Sequence, residues 1–169
     1  MKMTDLFAAQ LEREAAGTRR TLERVPEGRN DWKPHEKSMP LGYLAGLVAQ
    51  LPAWVSFTVD LDEIDLSNFS GSKRPRAHDT NRDLLQTFEE SMASARKSLA
   101  ATHDDHLLKP WRFAMGGKVV SEQPRYHVLS DAVFGHLAHH RGQLTVYLRL
   151  LGAPVPAIYG PSADEGRPD

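Results

Sequence analysis

The stretch HLAHHRGQLTVYLRL, from His136 to Leu150, sets two imidazoles, His136 and His140, four residues apart. On a helix, residues at that spacing have Cβ atoms about 5–6 Å apart, so both rings can reach one ion at the roughly 2.0–2.1 Å of a nitrogen–metal bond. The same pair can equally be core histidines, neutral and satisfied by a carbonyl or a neighbouring side chain. The chain has eight histidines and no cysteine. Any metal must therefore be held by imidazole, carboxylate or neutral oxygen, while disulfides, Cys–zinc sites and a cysteine nucleophile are excluded. A stable site also needs a third ligand from another helix.

Where the two rings point depends on their helix, which the pattern places from about Arg125 to Leu151, with Gly152 and Pro154 as a stop. At about 100° per residue, Leu129, Val133, His136, His140, Leu144, Tyr147 and Leu151 share one side. The histidines are thus expected in the middle of a core-facing stripe. His139 points away from the pair and His127 lies nearly opposite His136, so both are expected at the surface or in support. Tyr147 reads as a buried, hydrogen-bonded structural residue. Arg141 and Arg149 read as surface residues or partners of helix neighbours. Gly142, which costs about 1 kcal/mol relative to Ala inside a helix, suggests a close helix approach, within the bundle or across a dimer.

Three further amphipathic stretches can face this helix. The first runs from Thr4, as N-cap, to Val25, with Phe7, Leu11 and Leu22 on its stripe and Pro26-Glu27-Gly28 stopping it. The second starts at Ser38 and carries Leu44, Leu47, Val48, Leu51 and Val55, with a kink expected at Pro52. The third starts at Thr80, where TNRD resembles a capping box, and carries Leu84, Phe88, Met92 and Leu99. Between the third and fourth helices, WRFAMGGKVVSE alternates, turns at Gly116-Gly117 and resumes, which predicts a short β-hairpin. The expected fold is all-α: one four-helix-bundle domain over residues 1–169, with a surface-packed or fraying tail from about residue 160.

Charge narrows the function classes. Lys plus Arg number 21 against 22 Asp plus Glu, so no global bias points to nucleic acid or a membrane surface. Lys73, Arg74 and Arg76 read as a solvated basic loop, since no aromatic interleaves with them to stack bases. The first residues meet charges too early for a signal peptide, and no run of about 18 apolar residues is evident. A cytoplasmic protein is expected, with no nucleic-acid or membrane partner.

The run from His136 to Glu165, HLAHHRGQLTVYLRLLGAPVPAIYGPSADE, resembles the DinB/YfiT-like family of metal-dependent proteins, and DWKPHEKSMPLGYLAGLVAQLPAW, Asp31 to Trp54, resembles its second helix and lead-in. The resemblance implies a four-helix bundle, commonly a homodimer, with a divalent ion such as zinc or nickel held by three histidines. Two of these correspond to His136 and His140. The third corresponds, from the KSM and LG landmarks, to Leu47, which has no donor atom. Gln50, one turn on, offers only an amide oxygen, a poor ligand for such a metal. Some relatives with all three histidines are thiol-dependent transferases or isomerases.

Two functions follow as expectations. One is a metal-dependent protein acting on a small molecule or thiol, with His136 and His140 holding the ion and water or a carboxylate completing the shell. The other is a non-catalytic dimeric bundle that binds a small molecule and has lost the metal with the change to Leu47.

Overall fold

The computed structural model describes residues 2–68 and 75–166; Lys73 and Arg74 of the basic loop lie outside the described residues. Among these, four helical columns close into a ring. They are α1 (Met3–Leu22); α2 (Leu41–Gln50), continued through a 3-10 turn by α3 (Trp54–Asp60); α4 (Asn81–Ala101); and α6 (Arg125–Val128), continued through a π-helical segment by α7 (His136–Leu150). α4 packs on α1, α2 and α3, and α7 packs on α1 and α2. A one-turn helix, α5 (Asp104–Leu107), follows α4. Phe7, Leu11, Leu44, Val48, Phe88, Met92, Leu137 and Leu144 are among the side chains that meet in the ring's core.

The chain is not all-α. The expected hairpin forms, as β2 (Pro110–Met115) and β3 (Lys118–Pro124), but a third strand, β1 (Glu63–Asp65), pairs parallel to β2. Three residues are too few to display alternation, so β1 carries no periodic signal. Its anchor is chemical: the Asp65 carboxylate accepts the backbone N–H groups of Gly116 and Gly117 at 3.0 and 2.6 Å. Both glycines have positive φ, 61° and 76°, as a two-residue hairpin turn requires. Ile64, Trp111 and Val128, with Phe57, Leu66 and Phe113 against them, form a second apolar cluster where the sheet meets the bundle.

Several helix ends depart from the sequence reading. The α1 N-terminus is capped from a distance, since Asp104 accepts from the N–H groups of Met3 and Thr4 at 2.9 and 3.0 Å; Thr4 is inside the helix and not its cap. α2 begins after Pro40, not at Ser38, and Pro52 divides the second helix into α2, the 3-10 turn and α3. The Thr80 cap forms as expected, its hydroxyl accepting from Asp83 N–H at 3.1 Å. Leu41–Asp60 is long and apolar enough by composition to cross a membrane, and 72% of that window is buried inside the fold, which is how a core helix satisfies the same composition.

Within the chain the tightest approaches lie in α2, and Gly142 makes none. A Cβ on Gly46 would stand 1.9 Å from the Arg76 carbonyl oxygen, and one on Gly42 would stand 2.6 Å from Asn30, whereas one on Gly142 would meet nothing within 4 Å. Arg141 is likewise not a surface residue. Its guanidinium is fully buried and bonds the Glu14 carboxylate at 2.6 Å, Thr18 Oγ1 at 2.9 Å and the Tyr159 hydroxyl at 2.6 Å. Arg149 pairs with Asp164 of the tail.

Candidate functional site

His136 and His140 sit at the edge of the core stripe, half-buried, and not in its middle. The fully buried line of α7 runs through Leu137, Arg141, Leu144 and Leu148. The two rings converge, Nε2 to Nε2 at 2.8 Å with centroids 4.5 Å apart. His140 Nδ1 lies 2.8 Å from Gln143 Oε1. His136, with Nε2 turned to His140, also has the backbone of Ala132 as a hydrogen-bonding partner. At 2.8 Å the two Nε2 atoms are at hydrogen-bond distance, one neutral ring donating and the other accepting. Burial pushes both rings below the ordinary histidine pKa, and the neighbouring ring adds to this at His136, so the neutral forms are favoured.

His136 also lines a cavity of about 930 Å³ between the sheet and the bundle, at the upper end of the range for small-molecule sites. α2 gives Tyr43 and Leu47 to its wall, α3 gives Trp54, and β2 gives Trp111, Phe113 and Met115 by strand alternation. The polar positions are Ser67, Ser121, Gln123, His127 and Asp131. His127 bridges two of them, with Nε2 3.0 Å from Asp131 and Nδ1 3.2 Å from Gln123.

Sequence reasoning placed His127 opposite His136, yet both line this one cavity. Leu129–Gly135 is π-helical, and its wider turns advance each residue through fewer degrees than an α-helix does. A wheel drawn at constant pitch across that segment therefore misplaces everything before it. No residue type in LSDAVFG signals the change. His139 is exposed as expected. Of the other histidines, His106 bonds the Val59 carbonyl and His78 the Thr87 hydroxyl, both structural contacts.

The family model described as DinB family matches residues 3–168. The chain belongs to the DinB family. Its fold is similar to that of a DinB-like protein from Bacillus cereus, with a TM-score of 0.72 and 18% identity over 90% of this chain and 95% of that one. A DinB-like protein from Bacillus subtilis, YjoA, is similar at a TM-score of 0.70 and 15% identity, covering 96% and 99%. At such identities the likeness is one of fold. The uncharacterised Bacillus subtilis protein YrdA is 57% identical over 30 residues, a match spanning 18% of each chain.

The residues do not fit the closed three-histidine centre that the DinB/YfiT-like resemblance implies. Two donors converge from α7, but no group of three or more His, Cys, Asp or Glu that could hold an ion occurs among the described residues. Leu47, at the position matched to the third histidine, lines the cavity together with His136 and packs against the core. This DinB chain therefore presents a basic, neutral imidazole pair beside a large aromatic-walled cavity. Such a site can accept hydrogen bonds and bury an apolar body.

Proposed function

We propose that this DinB family protein binds a small molecule in the cavity between sheet and bundle, with His136 and His140 as hydrogen-bonding groups and no closed metal centre. The observation that carries the reading is Leu47, a side chain without a donor, on the wall that His136 also lines. Apolar walls supply affinity by burial, and a few convergent polar groups fix orientation. Ala132 lines the same cavity from an exposed position, so Ala132→Trp fills the space without disturbing the core. An apolar fluorescent probe such as anilinonaphthalene sulfonate is expected to bind the native chain and to lose about tenfold or more in affinity in Ala132→Trp at unchanged thermal midpoint. Equal affinity in the two chains sinks the reading.

The convergence of the two Nε2 atoms, 2.8 Å apart, favours a second reading, in which His136 and His140 hold a zinc or nickel ion weakly. Two imidazoles on one helix bind far less tightly than a closed set of three. Protein reloaded with either metal and desalted is expected to hold under about 0.1 ion per chain, and Leu47→His to approach about one. Stoichiometric metal retained by the native chain would mean a tight site and would overturn the first reading.

A further inference from the structure

We infer that the cavity selects an organic cation, an ammonium carried on an apolar or aromatic body, because among its described lining residues the one Asp, Glu, Lys or Arg side chain is a carboxylate and the walls are aromatic. This rests on the reading of the cavity as a binding site and names the class of ligand it takes. Among the described residues lining it, Asp131 is the one carboxylate, and neither lysine nor arginine occurs. Asp131 is 72% exposed at its side chain, so it stands at the mouth with its charge available, beside the His127 ring.

Deeper in, His136 and His140 hold their Nε2 atoms 2.8 Å apart, at hydrogen-bond distance of each other. The walls have the matching character. The rings of Tyr43, Trp111 and Phe113 line the cavity, and aromatic faces attract cations more strongly in a desolvated site. The indole N–H of Trp111, which could have served an anion, is already given to the Phe57 carbonyl at 3.2 Å. A carboxylate or phosphate ligand would meet Asp131 with no guanidinium or ammonium opposite it among the described residues lining the cavity, and like charge at close range is unfavourable.

The test uses three probes with one body, 4-phenylbutylamine, 4-phenylbutan-1-ol and 4-phenylbutyrate, titrated against the full chain by calorimetry. Low salt and about pH 8 keep free imidazole neutral and an alkylammonium charged. The amine is expected to bind about tenfold or more tighter than the acid and severalfold tighter than the alcohol. In Asp131→Asn the amine-to-alcohol preference is expected to fall by about threefold or more. An acid that binds as well as the amine, an alcohol that equals it, or a preference unmoved by Asp131→Asn overturns the inference while leaving the cavity reading intact. Failure of all three probes to bind overturns both.

Discussion

Arg141 shows how a residue within a suggestive motif can serve the fold. It follows His140 directly, and an arginine on a helix surface is the ordinary expectation. Instead its side chain is 1% exposed against 8% for Glu14, and together with Thr18 and Tyr159 the pair ties α7 to α1 and to the segment after α7. Gly17 permits this docking, since a Cβ there would approach Ile158 to 3.0 Å. Burial also pushes the Tyr159 hydroxyl above the ordinary tyrosine pKa, so it stays a neutral donor to Glu14. Removing one partner of a buried pair strands the other, so Arg141→Leu is expected to cost roughly 3–5 kcal/mol. Adding Glu14→Leu should restore much of that, because two apolar side chains leave no uncompensated charge. Urea unfolding midpoints of the two variants check this, and a double variant no more stable than the single one contradicts it. The His136–His140 pair itself was legible, because a four-residue spacing has one outcome on a helix. The partner of Arg141 was not, since Glu14 lies 127 residues away and no local spacing encodes that contact.

At the scale of elements, the legible features were those written in local chemistry: the Thr80 cap, the Pro52 interruption, the Gly116-Gly117 turn and the Gly152 stop. The illegible ones depend on something distant. β1 is a strand because β2 offers an open edge, and α1 starts where Asp104 caps it. The π-helical segment turns His127 toward the cavity with no compositional cue. Asp65 joins two of these elements and gives a pH prediction. Its carboxyl is held at about 2 by the Ser67 hydroxyl first, then by the Gly117 and Ser67 N–H groups. The folded value lies below the ordinary 3.8. Its contribution is therefore complete above 3.8 and is lost as pH falls through about 2. Amide exchange at Gly116 and Gly117, corrected for intrinsic rates, is expected to stay protected at about pH 5 and lose that protection near pH 2. Asp65→Asn should remove the pH dependence. Equal protection in both chains at both pH values rules out the carboxylate as the turn's anchor.

Over the whole molecule, the cavity and the tail divide the bundle's surface between them. The sheet roofs the α2, α3 and α6 side and encloses the candidate site, while the segment after α7 crosses back over α1. There it forms a strap whose acids have fixed partners. Asp164 pairs with Arg149 and accepts the Val155 N–H; Glu165 pairs with Arg24 and accepts the Ala157 N–H; and Ser162 donates to the Val155 carbonyl. A surface-packed tail was expected, but the partners of its acids were not legible, because a run of turns held by side chains has no period. Partly exposed ion pairs contribute about 0.2–1 kcal/mol each, and hydrogen bonds to charged groups somewhat more. A chain ending at Pro161 is therefore expected to lose roughly 1–3 kcal/mol, which in a domain of this size lowers the thermal midpoint by several degrees. None of the strap residues lines the cavity, so the affinity of that chain for the apolar probe should not change. Calorimetric melting and probe titration on one preparation separate the two roles. A midpoint that stays put means the strap merely lies on the bundle, and a loss of probe binding means the cavity depends on the α1 side after all.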